Sequence, residues 1–320
     1  ANIRNKIINY KNISVGLFIF SIGLFKKVVI ADTLAKIVNS GFDNAQYLNF
    51  FEAWLTSLSY TFQLYFDFSG YTDMAIGSAL LFNIRLPVNF NSPYKALSIQ
   101  DFWTRWHITL SRFLRDYVYI PLGGNRRGEG RTYFNLLATF ILGGIWHGAG
   151  WTFVFWGVLH GLGVVINRIW NEAGLGLPKL LAWFLTFNFI NIAWIFFRAK
   201  EWSDAIKVLS SMFSLQNIVL PSFLSSKLSF LKQYGVEFGG FVTNLSGSIS
   251  MLIWVFLGLI SVLFFKNSMQ KLSTFSSDSK TCFFGSFLFV AGVLSMDKIS
   301  EFLYFNFYTL IFRIYFSYEQ

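Results

Sequence analysis

The chain has 320 residues, of which 54% are hydrophobic, 20% aromatic and only 13% charged, and its mean hydropathy is +0.49. Soluble domains carry about 25% charged residues, so this composition excludes an ordinary soluble globular protein and predicts an all-α protein that crosses a membrane several times. The formal net charge of +10 comes from basic residues placed between apolar runs, which favours cytoplasmic loops beside anionic lipid over a nucleic-acid-binding face.

Long runs without charged residues predict the membrane-crossing helices, since such a helix needs about 20 mostly apolar residues. The candidate spans are, in chain order, residues 12–30, 180–197, 241–265, 281–296 and 302–316. Lys26 and Lys27 interrupt the first span near its end, whereas the second and third contain no charged residue. We expect the second and third, above all, to be transmembrane helices.

Residues 53–84 form another apolar run, and its charged residues are Asp67 and Asp73. Ser69 and Gly70 lie between the two acids and predict a break, so the run should form a helical hairpin or a broken helix. Acidic residues at membrane depth are costly and normally face protein or a water-filled cavity. The two carboxylates are therefore expected either to cap helix ends at the break or to line a site.

Residues 85–131 carry an excess of basic residues and are predicted to form a cytoplasmic loop. Within this loop, apolar residues recur at helical spacing from 98 to 117, and Ser98 is a suitable N-cap with Asp101 three residues later. The resulting amphipathic helix should lie in the membrane interface or re-enter the membrane.

Three arginines of this loop are candidates for binding phosphates, of a lipid or of coenzyme A. Arg105 and Arg112 would share one face of a continuous helix, and Arg126 follows a glycine-rich turn that lacks the Lys-Ser/Thr pair of a phosphate-binding loop. The alternative is that these arginines are solvated or face lipid headgroups.

Residues 132–166 contain no formally charged side chain, and as one straight helix they would measure roughly 52 Å, too long for a hydrocarbon core of about 30 Å. The expected break lies among four glycines: Gly143, Gly144, Gly148 and Gly150. His147 lies within this group, and an ionisable side chain at membrane depth is a functional-site candidate. Its imidazole could take a proton from a hydroxyl and then protonate a leaving group; the alternative is a core histidine bonded to a backbone carbonyl.

The other two histidines have weaker signals. On a continuous helix His107 shares a face with Trp103 and Ser111, where it could orient His147 or a substrate, or simply anchor the helix at the interface. His160 could meet His147 only across a break, because on one helix the two would lie on different faces about 20 Å apart. We interpret His160 as structural, with the glycine that follows it permitting close helix packing.

The remaining features concern the organisation of the chain into domains and the absence of metal-ligand and disulfide patterns. Residues 198–240 are polar and contain one further candidate surface helix. Their charges are nearly balanced and do not indicate on which side of the membrane they lie. No internal repeat is evident, so residues 1–320 are predicted to form a single domain. The single cysteine, Cys282, and the histidines lack metal-ligand spacing, so neither a metal site nor an internal disulfide is expected.

The order of several motifs is the most specific signal in the sequence. The motifs are FQLYFDFSGYTDMAIG at 62–77, LPVNFNSPY at 86–94, DFWTRWHITLSRFLRDYVYIPLGGNRRG at 101–128 and GGIWHGAGWTFVFWGVLHG at 143–161, with GLFKKVVIADTLA at 23–35 and FLYFNF at 302–307. Together they resemble the membrane-bound O-acyltransferase family, in the branch of the alginate O-acetylation membrane protein and the peptidoglycan O-acetyltransferases.

This resemblance implies a helical fold around a transmembrane funnel or tunnel in a bacterial cytoplasmic membrane, crossed many times. The family's catalytic histidine, in its Trp-His-Gly motif, corresponds to His147, and its second marked histidine, in the Arg-Trp-His motif, corresponds to His107. The residues expected to line the tunnel are Asp67, Asp73, Trp103 and Trp146. Acetyl-CoA is expected as the acyl-donor substrate, with no bound cofactor.

The implied reaction is acetyl transfer from the cytoplasm to hydroxyls of a cell-envelope polysaccharide, directly or through an extracytoplasmic acetyltransferase partner. Two alternatives stay open: transfer to a lipid or protein hydroxyl, and a transporter or channel, which Asp67, Asp73 and His147 at membrane depth would also suit. Family members begin with several helices before the GLFKK motif. We therefore expect this chain to be part of a longer protein or to form an incomplete tunnel wall.

Overall fold

The computed structural model describes residues 8–296, which are mostly helical. The α-helices are α1 Tyr10–Leu24, α2 Asp32–Asn39, α3 Phe50–Leu81, α4 Ile99–Arg105, α5 Ile108–Leu114, α6 Glu129–His147, α7 Trp151–Glu172, α8 Lys179–Arg198, α9 Trp202–Phe213, α10 Ser225–Leu228, α11 Ser250–Phe264, α12 Ser268–Ser273 and α13 Ser279–Leu294. Wider π-helical turns follow α1, α2 and α5 at Phe25–Ala31, Ser40–Asn44 and Arg115–Tyr119. Two short parallel strands, β1 Val219–Pro221 and β2 Glu237–Gly239, pair with Val219 opposite Glu237.

Within these residues, three helical stretches are long and apolar enough to cross a membrane: Tyr10–Asn44, Trp151–Glu172 and Lys179–Arg198. They confirm the predicted helix at 180–197 and include the one at 12–30. The prediction for 241–265 is wrong in its first part, because α11 begins only at Ser250; Ser246 before it has a left-handed φ of 50° and ends a 3-10 turn. The residues predicted at 281–296 form a helix, α13, but α13 and α11 are shorter than the three stretches above, and a membrane crossing by either stays a prediction. Helix α9 confirms the surface helix, and residues 302–316 lie outside the described residues.

The predicted break at Ser69-Gly70 is wrong, because α3 is one continuous helix of 32 residues. Gly70 serves close packing instead: a Cβ at this position would lie 2.8 Å from the carbonyl oxygen of Gly23 in α1. A Cβ at Gly77, one heptad later, would lie 2.6 Å from the carbonyl oxygen of Gly16. The glycines of α3 therefore allow two backbones to approach each other, as small residues do between membrane helices.

The predicted amphipathic helix at 98–117 is divided. Ser98 caps α4 as expected, its Oγ accepting from the Asp101 N–H at 3.0 Å. The chain then leaves the helical conformation at Trp106, whose ψ is 130°, and at His107, which is left-handed with φ 42° and ψ 55°. Because the helix does not run through this point, the expected shared faces of His107 with Ser111, and of Arg105 with Arg112, do not form.

The predicted break within 132–166 is confirmed at residues 148–150, between α6 and α7. Gly143 and Gly144 lie inside α6 and do not interrupt it. Glycines of α7 pack closely on α6: a Cβ at Gly157 would lie 2.5 Å from the Phe140 carbonyl oxygen, and a Cβ at Gly161 would lie 2.8 Å from Leu137. The close packing expected of the glycine after His160 is therefore present.

The chain divides into two compact units. Within the described residues, the first comprises residues 8–32, 63–135 and 260–296, and the second comprises residues 33–62 and 136–259. His107 belongs to the first unit and His147 to the second. The prediction of a single domain over residues 1–320 stays a prediction.

Candidate functional site

His147 is the last residue of α6 and is only 6% exposed. Aromatic rings enclose its imidazole: the ring centroid of Trp156 lies 5.3 Å away, nearly perpendicular, and that of Phe197 lies 5.0 Å away. The adjacent Gly148 packs closely on the ring of Phe153, since a Cβ there would lie 2.6 Å from that ring, and Phe153 in turn contacts Phe197 at 5.2 Å. The sequence thus places an ionisable group in an apolar pocket at the end of a helix, where water is largely excluded.

Trp156 connects His147 to the second buried histidine of this unit. Its indole contacts His147 on one side and His160 at 4.8 Å on the other, and it stacks on Trp194 at 5.7 Å. His160 is fully buried, and its ring also contacts Phe189 at 5.7 Å. The break in the helix therefore brings the two histidines to one aromatic cluster, with an indole between them.

Trp146 precedes His147 and differs from it in exposure. Its side chain is 54% exposed, while its ring centroid lies 4.9 Å from that of His147.

Trp103, the other tryptophan expected to line a tunnel, is half-buried on α4 and packs edge-on against Phe102 at 5.7 Å. Whether either residue lines a tunnel stays a prediction.

His107 lies in an aromatic cluster of the first unit. Its ring packs edge-on against Phe68 of α3, with centroids 4.8 Å apart. Phe68 contacts Phe90 at 5.0 Å, and Phe90 in turn contacts Trp106 at 5.0 Å. Burial among these rings lowers the pKa of His107 to about 4, because the charged imidazolium loses its hydration. The imidazole is therefore neutral at physiological pH and can both donate and accept a hydrogen bond.

The two acids of α3 form ion pairs with the two lysines that follow α1. Lys26 Nζ lies 2.7 Å from Asp73, and Lys27 Nζ lies 2.7 Å from Asp67 and 2.8 Å from Asp32. Since α3 is continuous here, capping at a break is the wrong interpretation of Asp67 and Asp73. A role in lining a site stays a prediction.

Ser268 of α12 joins the first of these pairs. Its hydroxyl donates to Asp73 and accepts from Lys26 Nζ at 2.6 Å. A cavity of about 10 Å³, the size of one water molecule, lies beside Lys26, Asp73 and Ser268. The buried charges are thus compensated by both an opposite charge and a hydroxyl, as charges at membrane depth require.

The candidate donor-binding arginines have different surroundings. Arg105 Nε donates to Asp101 at 2.6 Å, one turn earlier in α4. Arg112 and Arg126 are exposed. A role for the three in binding a donor stays a prediction, and the two exposed guanidinium groups offer the more open surface for phosphates.

Sequence reasoning missed Lys26 and Lys27 as partners of the acids and treated them only as interruptions of a span. A signal was present, because two acids in one apolar run and two lysines in another must be neutralised at membrane depth. It also missed Trp156, for which no signal was available, since tryptophans are frequent throughout this sequence.

Comparison with known proteins identifies the family. The model of the membrane-bound O-acyltransferase family matches residues 3–200. A peptidoglycan O-acetyltransferase of Helicobacter pylori is 62% identical over 220 residues, which are 68% of this chain and 42% of that protein. A probable alginate O-acetylase of Azotobacter vinelandii is 45% identical over 214 residues, which are 67% of this chain and 43% of that protein.

A more distant relative is a teichoic acid D-alanyltransferase of Streptococcus thermophilus, 35% identical over 162 residues, or 43% of this chain and 39% of that protein. The chain thus spans about two fifths of the length of the curated relatives it matches. The family match covers more than half of the chain and includes both His107 and His147, so the chain belongs to the membrane-bound O-acyltransferase family.

Proposed function

We propose that the protein transfers acetyl groups from acetyl-CoA on the cytoplasmic side to hydroxyls of a cell-envelope polysaccharide, as a multi-pass protein of a bacterial cytoplasmic membrane. The observation that carries this proposal is the aromatic enclosure of His147, within the matched part of an acyltransferase family. Two relatives are named for O-acetylation, of peptidoglycan and of alginate. The higher identity favours peptidoglycan as the acceptor.

His147 supplies acid-base chemistry in this proposal. A neutral imidazole takes the proton of the acceptor hydroxyl while the hydroxyl oxygen attacks the thioester carbonyl, forming a C–O bond. The C–S bond then breaks, and the imidazolium returns the proton to the leaving thiolate. The rings of Trp156 and Phe197 exclude water, so the thioester is protected from hydrolysis.

His107 acts as a neutral hydrogen-bonding group toward a substrate. A charged imidazolium would be disfavoured among Phe68 and its neighbouring rings, so this histidine is suited to binding rather than to carrying charge. The exposed Arg112 and Arg126 are suited to the phosphates of coenzyme A, which need not enter the apolar interior. Transfer to the polymer is direct or passes through an extracytoplasmic acetyltransferase.

The structure gives less support to a transporter or channel. Asp67, Asp73 and His147 at membrane depth motivated that alternative, and of these the two acids are ion-paired with lysines of the same unit. An acid that already pairs with a lysine leaves less negative charge to attract a transported cation. Acyl transfer is therefore the function that the described residues support best.

The test uses sealed vesicles of known orientation that contain the full-length protein and radiolabelled acetyl-CoA on the cytoplasmic side. His147→Ala should reduce acetyl transfer by about 10²- to 10⁴-fold, because a general base is lost. His160→Gln removes a second imidazole from the same aromatic cluster and should retain transfer. Full activity of a folded His147→Ala variant would contradict the proposal, as would movement of whole coenzyme A across the membrane.

A further inference from the structure

The backbone of His107 has a conformation that few residue types adopt. Its φ of 42° is left-handed, and a non-glycine residue is uncommon there because its Cβ crowds the backbone. His107 is also the residue before α5, where a side chain normally caps the first N–H groups of the helix, and its imidazole makes no such bond. The first N–H groups of α5 therefore need acceptors from elsewhere in the chain.

Asn89 supplies these acceptors. The Ile108 N–H donates to the Asn89 carbonyl oxygen at 3.1 Å, and the Thr109 N–H donates to Asn89 Oδ1 at 3.2 Å. The hydroxyl of Thr109 donates to the same Oδ1 at 2.6 Å. One residue of a distant loop thus caps the two positions that directly follow His107.

The residues around Asn89 fix the other side of the turn. The Asn91 N–H donates to the carbonyl oxygen of Arg105, the last residue of α4, at 2.9 Å. The ring of Phe90 packs against Trp106 and against Phe68, the ring that contacts His107. Residues 89–91 therefore hold the chain on both sides of His107.

These contacts explain why the helix divides. Local sequence favours a continuous helix from 98 to 117, and such a helix would place His107 on one face with Ser111. The acceptors offered by Asn89 favour ending the helix at Arg105 and starting it again at Ile108. The turn between them directs the imidazole of His107 onto Phe68.

We propose that Asn89 is a positioning residue for His107: it caps α5 in place of His107 and thereby holds the imidazole in the orientation used for transfer. This inference rests on the proposed function, in which His107 contacts a substrate. Asn89 itself acts through the backbone that follows His107.

Three variants of the full-length protein test this inference. Asn89→Ala removes the Oδ1 acceptor, whereas Asn89→Asp keeps an acceptor of the same shape at the start of a helix, where negative charge is favourable. Asn91→Ala is the matched control, because the Asn91 side chain accepts from Asn267 at 3.1 Å and not from α5. His107→Ala is measured in parallel.

Two readouts separate the structural step from the functional one. Amide hydrogen exchange of a peptide covering residues 108–111 should be faster in Asn89→Ala than in the unsubstituted protein, and close to normal in Asn89→Asp and Asn91→Ala. The kcat of acetyl transfer should fall about 10- to 100-fold in Asn89→Ala, because a misplaced group loses the reactive geometry. Asn89→Asp should restore it, because the acceptor at Oδ1 is kept, and the amide exchange of residues 108–111 should recover together with kcat.

Unchanged amide exchange in Asn89→Ala would overturn the capping step. A normal kcat in Asn89→Ala beside an inactive His107→Ala would overturn the positioning step alone. Full activity of His107→Ala would instead overturn the role of His107 in the proposed function, and the positioning role would fall with it.

Discussion

Lys26 and Asp73 form a buried ion pair 2.7 Å apart, with side chains that are 13% and 6% exposed. Lys26 lies in the π-helical turn after α1, and Asp73 lies in α3, so the pair ties two apolar segments of the first unit together. Removing one partner would leave the other charge buried without an opposite charge, with only the Ser268 hydroxyl beside it.

The first prediction follows from this pair. Lys26→Met should lower the free energy of unfolding by about 3 to 5 kcal/mol, because Asp73 is left as an unpaired buried charge. The double variant Lys26→Met/Asp73→Leu should recover much of the loss, since neither charge then remains. Thermal unfolding in detergent measures the stability of the single and the double variant. A double variant less stable than either single variant would contradict the explanation by an unpaired buried charge.

The second prediction concerns the contact between α1 and α3. Gly77→Ala should destabilise the protein, because the added Cβ would lie 2.6 Å from the carbonyl oxygen of Gly16 and the helices would have to separate. Gly130→Ala is the control: Gly130 lies in the first turn of α6, and nothing lies within 4 Å of its added Cβ. Equal unfolding temperatures for the two variants would show that the close approach of Gly16 and Gly77 contributes no stability.

The same contacts show what the sequence could predict. The break between α6 and α7 and the cap at Ser98 depend on residues close to each other in the chain, and both predictions are confirmed. The predicted break at Gly70 was wrong because a glycine signals either a turn or a close approach, and the partner Gly23 is distant in sequence. For the same reason the division of the helix at His107 was not predicted, because its acceptors come from Asn89.

The candidate site residues also differ in whether the sequence alone could identify their role. His147 was identifiable because an ionisable residue lies in an apolar run, and its burial among aromatic rings agrees with that signal. The ion pairs of Asp67 and Asp73 required knowledge of which helices are neighbours. Pairing between distant segments depends on tertiary packing, which periodicity within one segment does not contain.

The third prediction is a dependence of stability on pH through His107. Its pKa is about 4 in the folded protein and about 6.5 in an unfolded chain, so the unfolded state binds the proton more readily. The contribution of this histidine to the free energy of unfolding is complete above pH 6.5 and is lost as the pH falls toward 4. Between pH 7 and pH 5 the loss should be about 2 kcal/mol.

The variant His107→Asn isolates this contribution. Asparagine does not titrate and tolerates the left-handed conformation, so the backbone turn should persist. The unfolding temperature of the variant should fall less between pH 7 and pH 5 than that of the unsubstituted protein. An identical pH dependence in both proteins would assign the effect to other groups.

The last prediction concerns the side of the membrane on which the basic loop lies. Residues 118–131 are expected to face the cytoplasm, because basic residues in short loops near membrane helices concentrate on that side. Asn125 and Glu129 are exposed and suit the introduction of a reporter cysteine. Cys282 is exposed as well, so the background for both reporters must be Cys282→Ser.

In intact cells, Asn125→Cys and Glu129→Cys should resist a membrane-impermeant thiol reagent and should react once the membrane is opened with detergent. The second step is the control, since it shows that the cysteine is accessible and that protection came from the membrane alone. This orientation would place Arg126 beside the cytoplasmic supply of acetyl-CoA, as the proposed donor entry requires. Rapid labelling in intact cells would place the loop outside, and a donor that enters there could not be the cytoplasmic thioester.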